Sequence, residues 1–115
     1  MARGEILSVD LPVPVYRGGH EQLGCRPAIV VQTDVADTNL PTTIIVPFTS
    51  NISALHFPHT LRIDPSPQNG LTRPSVLLVF QLRAIDKKRI GNRIGRLEKH
   101  YLQQLEVEMR NLLAL

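Results

Sequence analysis

Two short stretches of this sequence place charged and hydroxyl side chains at the ends of predicted strands. Arg26 precedes Pro27 and a run of small and β-branched residues, 28–31, which is typical of a strand covered on both faces. Because Pro27 has no N–H to donate, we expect it at the first residue of that strand, and it favours an extended Arg26. Thr49 and Ser50 follow a second apolar run. If the start of one strand lies near the end of the other, these three side chains converge on one small patch.

Such a patch is suited to binding a phosphate group. A guanidinium is planar, permanently charged and able to contact two phosphate oxygens at once. The Thr49 hydroxyl can donate to a phosphate oxygen, and Ser50 is a weaker candidate for the same role. An arginine that stays protonated is a poor general base, so Arg26 suits the stabilisation of negative charge. The structural alternatives are an ion pair between Arg26 and a carboxylate, and a turn cap formed by Thr49 and Ser50.

Four motifs, in order and over nearly the whole chain, resemble those of the MazF/PemK (Kid) toxin endoribonucleases. They are Arg3-Gly4-Glu5-Ile6-Leu7, Gly24-x-Arg26-Pro27-Ala28, Val46-Pro47-Phe48-Thr49-Ser50, and Gln81-Leu82-Arg83-Ala84-Ile85-Asp86 followed by Arg93-Ile94-Gly95-Arg96-Leu97. The resemblance implies a mostly β fold with α, an SH3-like (CcdB/PemK-type) small barrel with a C-terminal helix, assembled as a homodimer. It also implies a sequence-selective, metal-independent endoribonuclease acting on single-stranded RNA, with mRNA expected and DNA not a substrate.

The resemblance further implies a MazE-like antitoxin as partner. An acidic, disordered segment of that antitoxin would cover the groove that binds RNA and displace residues 16–24, which are predicted to form a loop. RNA carries its own nucleophile, the 2′-hydroxyl, so no metal or other cofactor is expected. Cleavage requires removal of the 2′ proton, stabilisation of the phosphorane charge and protonation of the leaving 5′-oxygen. Arg26 and Thr49 suit the second task. The family pattern assigns the base to the position of Glu21, and the neighbouring His20 is a rival.

Further RNA contacts are expected from Ser50, Asn51, Gln81, His20 and Tyr16. One position departs from the family pattern. Family members often carry Asp-Gln where this chain has Phe80-Gln81, so an acidic group common beside the site is missing. Either this charge is dispensable, or this chain has a changed pocket or weaker activity.

Composition places the chain among small globular proteins. Its 115 residues are expected to form one domain, 1–115, and its net charge of +3 is compatible with a polyanionic partner. The single Cys25 cannot form an internal disulfide, which fits a cytoplasmic protein. The sequence contains no long apolar stretch and no secretory signal, so we expect no membrane association.

The hydrophobic pattern predicts several short strands and one helix. Strands are predicted at 3–11, 28–32, 42–47, 60–63, 75–83 and 92–97, a single helical turn at 86–90, and a helix at 98–113. Leu102, Leu105, Met109 and Leu112 form one apolar stripe on that helix. These elements predict a mostly antiparallel sheet or barrel with a helix packed on it.

Two other functions remain open from the sequence. One is a CcdB-like toxin that binds a protein such as gyrase, on the same barrel but without catalysis. The other is a non-catalytic RNA-binding barrel, which the missing acid at Phe80 keeps open. A non-catalytic RNA-binding barrel would bind RNA with an affinity that falls as the salt concentration rises, and it would leave the RNA uncut.

Overall fold

The structure is a computed structural model that describes residues 2–11, 24–34 and 39–115. Over these ranges the chain forms seven β-strands, three short 3₁₀ helices and one long C-terminal α-helix. The strands are β1 (Glu5–Leu11), β2 (Gly24–Val30), β3 (Thr42–Thr49), β4 (Thr60–Ile63), β5 (Ser75–Leu78), β6 (Arg83–Asp86) and β7 (Ile90–Arg96). The 3₁₀ helices are η1 (Ile52–His56), η2 (Val79–Gln81) and η3 (Lys87–Arg89), and the α-helix is α1 (Lys99–Leu113).

Strand β3 is shared by two antiparallel sheets. Along one edge it pairs with β2. Along the other edge it pairs with β6 over residues 42–45 and then with β5 at Phe48 and Thr49. β1 lies between β2 and β7, and β4 extends the second sheet beside β5. The predicted fold class, a mostly β small barrel with a C-terminal helix, is confirmed.

Strand β2 is buried on both faces, as its composition predicts. Ile29 and Val31 belong to the hydrophobic cluster that also contains Leu105 of α1. Ala28 and Val30 point to the opposite face and belong to a second cluster, formed with β1 and β3. Alternate residues of a strand face opposite sides of the sheet, so this one strand joins both clusters.

The prediction that Pro27 begins its strand is wrong. β2 begins at Gly24, and Pro27 is its fourth residue, paired with β1. Val31 N–H donates to the Ile44 carbonyl on β3 (3.0 Å). The backbone N–H groups of a strand point alternately to its two neighbours, so the backbone nitrogen of Pro27, four residues before Val31, also faces β3. The β2–β3 pairing stops at Ala28, because Pro27 has no N–H to donate on that side.

The prediction of one strand over residues 75–83 is also wrong. The segment contains β5, the η2 turn and the first residue of β6. β5 and β6 pair with opposite ends of the same edge of β3 and belong to different sheets, with a different register in each. The chain must therefore turn between them. The apolar run carries no local signal for this turn, because the pairing with β3 determines it.

The remaining predicted elements are present with shifted boundaries. The strand predicted at 92–97 begins at Ile90, and the strand predicted at 42–47 continues to Thr49. Residues 49–53 contain the end of β3 and the start of η1. The helical turn at 86–90 is η3, and the C-terminal helix is α1.

The apolar stripe of α1 packs against the first hydrophobic cluster. Leu105 is fully buried, and Leu102, Met109 and Leu112 are partly buried against the same cluster. The predicted stripe is confirmed as core packing. Across the ranges that the structure describes, no helix has the length and apolar character needed to cross a membrane.

A buried asparagine organises the connection between β4 and β5, here called the Asn69 loop (residues 64–74). The Asn69 side chain is fully buried. Its Oδ1 accepts from the backbone N–H groups of Ser66 and Leu71 (both 3.0 Å), and its Nδ2 donates to the Asp64 carbonyl (2.9 Å). One side chain thus replaces backbone hydrogen bonds that an irregular loop cannot make for itself.

Two glycines allow the Asn69 loop to lie directly on β7. Gly70 has φ +71°, and a Cβ there would lie 2.2 Å from the Ile94 carbonyl oxygen. A Cβ at Gly95 would lie 2.4 Å from the carbonyl of Asn69. Arg96 N–H donates to the Gln68 carbonyl (3.0 Å) between the same two segments. The contact is made by backbone atoms, so the loop has little freedom to shift.

We expect Leu105→Ala to lower the free energy of unfolding by about 2–5 kcal/mol, the usual cost of truncating a buried leucine. Urea denaturation followed by circular dichroism measures this change. The matched control is Gln104→Ala on the exposed face of the same turn, with an expected change below about 0.5 kcal/mol. Equal effects of the two substitutions would contradict the packing of α1.

We expect Asn69→Ala to lower the free energy of unfolding by about 1–3 kcal/mol, because two loop N–H groups lose their acceptor. The control is Gln68→Ala, whose side chain is exposed. The same denaturation experiment compares the two variants. Asn69→Ala as stable as Gln68→Ala would show that the hydrogen bonds of this side chain do not hold the loop.

Candidate active site

A cavity of about 380 Å³ lies between β2, β3, the Asn69 loop and β7. It brings together three of the side chains predicted from the sequence, Arg26, Thr49 and Ser50. The full lining is Arg26, Pro27, Phe48, Thr49, Ser50, Gly70, Leu71, Thr72, Arg73, Ser75 and Ile94. We call it the Arg26 cavity.

The register between β2 and β3 brings Arg26 and Thr49 to the same end of this strand pair. The pairing ends at Ala28 and Pro47. Two residues beyond that point on each strand, Arg26 and Thr49 both line the cavity. Arg26 remains paired on its other side, with Val9 of β1, so an extended strand presents its exposed side chain.

The Thr49 hydroxyl is oriented by a backbone contact. Asn51 N–H donates to Thr49 Oγ1 (3.2 Å). Since a hydroxyl both accepts and donates, this bond occupies an acceptor position and keeps the O–H as a donor. Thr49 is half-buried and lines the cavity, so its O–H is available to an oxygen bound there.

Asn51 itself is used locally. Its Oδ1 accepts from Ser53 N–H (3.2 Å) and from Ser53 Oγ (2.6 Å), which caps the N-terminus of η1. Among the described residues that line the Arg26 cavity, Asn51 is not included. The RNA contact assigned to it stays a prediction, and the described contacts give it a capping role.

The structure does not bring Gln81 to the Arg26 cavity. Gln81 ends η2 and lines a separate depression of about 350 Å³ with Phe80, Leu82 and Arg83. The Phe80 ring, at the position where the family often has an acid, packs against Phe57 with ring centroids 5.4 Å apart. An apolar contact therefore occupies the place where family members often carry a charge.

Three predicted site residues, Tyr16, His20 and Glu21, lie outside the described residues. The 16–24 loop falls there as well, apart from Gly24 at the start of β2. The assignment of the general base to Glu21, with His20 as a rival, therefore stays a prediction.

Sequence analysis missed a second arginine in the cavity, Arg73. It is exposed, and it precedes Pro74 as Arg26 precedes Pro27. The repeated Arg-Pro pair was the available local signal. The position of Arg73 at the cavity depends on contacts between the Asn69 loop and β7, which are distant in sequence.

The lining of the Arg26 cavity favours an anion. It contains two guanidinium groups together with the hydroxyls of Thr49, Ser50, Thr72 and Ser75. Among the described residues, no carboxylate lines it. Guanidinium and hydroxyl donors around one cavity are suited to phosphate.

A second depression, of about 430 Å³, has mixed charge. It is lined by Asp10, Asp86, Lys88, Arg89 and Cys25 among others. Two carboxylates there balance two cations, so the depression has no net attraction for a polyanion. The contrast favours the Arg26 cavity as the phosphate site.

The two histidines at 56 and 59 make separate contacts. His59 Nδ1 lies 3.4 Å from Glu108 Oε2 of α1, whereas His56 Nδ1 contacts the Ser53 carbonyl. Across the described ranges, no three His, Cys, Asp or Glu side chains gather as a metal-ligating group. The two histidines thus serve the packing around η1.

Comparison with known proteins places this architecture in one family. The sequence model described as PemK-like, MazF-like toxin of type II toxin–antitoxin system matches residues 2–113. Endoribonuclease EndoA of Bacillus subtilis (strain 168) is 34% identical over 113 residues, which cover 98% of this chain and 94% of EndoA.

Two solved structures share the fold. MazF from Deinococcus radiodurans (Form-I) superposes with a TM-score of 0.79 at 21% identity and covers 100% of this chain and 97% of its own. A mycobacterial endoribonuclease in complex with its cognate antitoxin gives a TM-score of 0.77 at 17% identity, covering 100% and 96%. Since the family model spans nearly the whole chain and EndoA is similar over the same length, this protein belongs to the PemK/MazF toxin family of type II toxin–antitoxin systems.

Proposed function

We propose that this protein is a sequence-selective, metal-independent endoribonuclease that cleaves single-stranded RNA, with mRNA as its expected substrate. The observation that carries the proposal is the Arg26 cavity, where Arg26, Thr49 and Ser50 surround a space suited to one phosphate group. EndoA, which is similar along almost the entire chain, is named an endoribonuclease. The products are a 2′,3′-cyclic phosphate and a 5′-hydroxyl.

In the proposed reaction the RNA supplies its own nucleophile. The 2′-oxygen forms a bond to phosphorus, and the bond from phosphorus to the 5′-oxygen breaks. A base takes the 2′ proton, and an acid gives a proton to the leaving 5′-oxygen. Because the attacking oxygen belongs to the substrate, the reaction needs no metal-bound water.

Arg26 and Thr49 stabilise the charge that develops on the phosphorane. The guanidinium contacts two equatorial oxygens, and the Thr49 O–H, oriented by Asn51 N–H, donates to one of them. Interactions that strengthen as the charge develops lower the barrier to reaction, whereas uniform binding does not. Arg26 is thus the electrostatic centre, and Glu21 or His20 is the proposed proton carrier.

We also propose a MazE-like antitoxin as partner of a cytoplasmic homodimer. The mycobacterial relative was solved with its cognate antitoxin. An acidic antitoxin segment would occupy the cation-lined Arg26 cavity in competition with RNA, because both ligands are polyanionic. Antitoxin binding and RNA cleavage are then mutually exclusive.

Arg26→Ala should lower the rate of RNA cleavage in EDTA by about 100-fold or more, the effect of removing one well-aimed donor to an oxyanion. Single-turnover assays on a long RNA of mixed sequence measure the rate. The control is Arg93→Ala, which removes an exposed guanidinium that lies 3.5 Å from Glu5.

Cleavage retained by Arg26→Ala would remove Arg26 from the mechanism. Loss of wild-type cleavage in EDTA would contradict the metal-free reaction. RNA binding without cleavage would identify a non-catalytic RNA-binding barrel, and DNA breaks trapped in a supercoiling assay would identify a gyrase-binding toxin.

Thr49→Val keeps the β-branched shape of the side chain but removes its hydroxyl. We expect cleavage to slow by about 10- to 100-fold, the value of one hydrogen bond to a charged group. Thr42→Val at the other end of β3 should leave the rate unchanged, as it lies outside the Arg26 cavity. Equal rates for the two variants would exclude the Thr49 hydroxyl from the reaction.

A further inference from the structure

Two arginines from different parts of the chain, each followed by a proline, line the same cavity. Arg26-Pro27 lies on β2, and Arg73-Pro74 lies at the end of the Asn69 loop. Proline favours an extended backbone in the residue before it, so each guanidinium is presented by a restricted segment.

The backbone of Arg73 is fixed on both sides. Ser75 Oγ donates to the Arg73 carbonyl (3.0 Å). On the other side, Asn69 Oδ1 accepts from Leu71 N–H (3.0 Å), and Gly70 packs against the backbone of Ile94. A side chain on such a segment loses less freedom when it binds a ligand than one on a loose loop.

The charge of Arg73 faces the cavity without a counter-ion from the described chain. Within the ranges that the structure describes, no carboxylate lies within ion-pairing distance of its guanidinium. Its neighbours along the cavity are the hydroxyl side chains of Thr72 and Ser75. This setting suits a group that brings negative charge from outside.

We propose that Arg73 binds a phosphate of the RNA strand next to the scissile one, with Thr72 beside it. This inference rests on the proposed function of the Arg26 cavity. Arg26 and Thr49 line the cavity from the adjacent strands β2 and β3 and, in the proposed function, share the scissile phosphate. Arg73 belongs to a separate segment of the lining, the Asn69 loop, and is assigned to the neighbouring phosphate.

A contact to a neighbouring phosphate affects binding more than chemistry. The charge on that phosphate is the same before and during the reaction, so the contact stabilises the bound RNA and the transition state equally. It also carries no base information, because every nucleotide has the same phosphate. Arg73 is thus a positioning residue that sets affinity and register of the strand.

The test measures binding of 2′-O-methyl RNA of mixed sequence, which lacks the nucleophile and stays intact. Arg73→Gln should weaken binding about tenfold at 0.1 M salt. It should also reduce the magnitude of the slope of the logarithm of the association constant against the logarithm of the salt concentration by about 0.7, the value for one phosphate contact on a single strand. Arg73→Lys should keep the wild-type slope, because it keeps the charge.

The matched control is Arg93→Gln. Arg93 is exposed and, unlike its neighbour Ile94, is not among the residues that line the cavity. A reduction in slope equal to that of Arg73→Gln would show a general effect of net charge and overturn the proposal. An unchanged slope in Arg73→Gln would overturn it directly.

Cleavage of unmodified RNA separates this proposal from the function on which it rests. At saturating RNA, Arg73→Gln should turn over within about threefold of wild type and cut at the same positions, since the contact acts on binding. A large loss of turnover at saturation would make Arg73 part of the chemistry and contradict its assigned role. Failure of the wild-type protein to cut any RNA would contradict the endoribonuclease, whereas the salt slope alone decides the phosphate contact of Arg73.

Discussion

The antiparallel register between β2 and β3 is the constraint on which the candidate site depends. It brings Arg26 and Thr49 to the same end of the β2–β3 pair, just past the point where the pairing ends at Ala28. A slip of one residue would turn every side chain of β2 to the other face of the sheet. Since the two faces of β2 pack into different hydrophobic clusters, such a slip would exchange the residues of the two clusters and disrupt the packing of both. Core packing thus holds the charged and hydroxyl groups in position.

The opposite wall of the cavity is held by a different interaction. The Asn69 loop is braced by one buried amide and lies backbone to backbone on β7 at Gly70 and Gly95. Because these contacts involve main-chain atoms, they leave little room for adjustment. The cavity is accordingly formed between two rigid walls, one defined by strand register and the other by a loop amide. Preorganised donors of this kind need little rearrangement when charge develops between them.

The parts of the fold and site that the sequence predicts carry local signals. Arg26 and Thr49 lie at strand boundaries marked by a proline and by the end of an apolar run, and the helix is marked by the spacing of its leucines. The break within residues 75–83 has no such signal, since it follows from the change of partner along β3. Arg73 was missed for a similar reason. Its place in the cavity depends on the contact of Gly70 and Gly95 between distant segments.

The most direct test of the central claim is to map the ends that the wild-type protein leaves on one long RNA of mixed sequence in the presence of EDTA. We expect discrete cuts within single-stranded regions, each with a new 5′-hydroxyl and a 2′,3′-cyclic phosphate. These ends identify the 2′-oxygen as the nucleophile. New 5′-phosphate ends would instead show attack by water, and they would contradict the assignment of Arg26 and Thr49 to a phosphorane formed from the RNA itself.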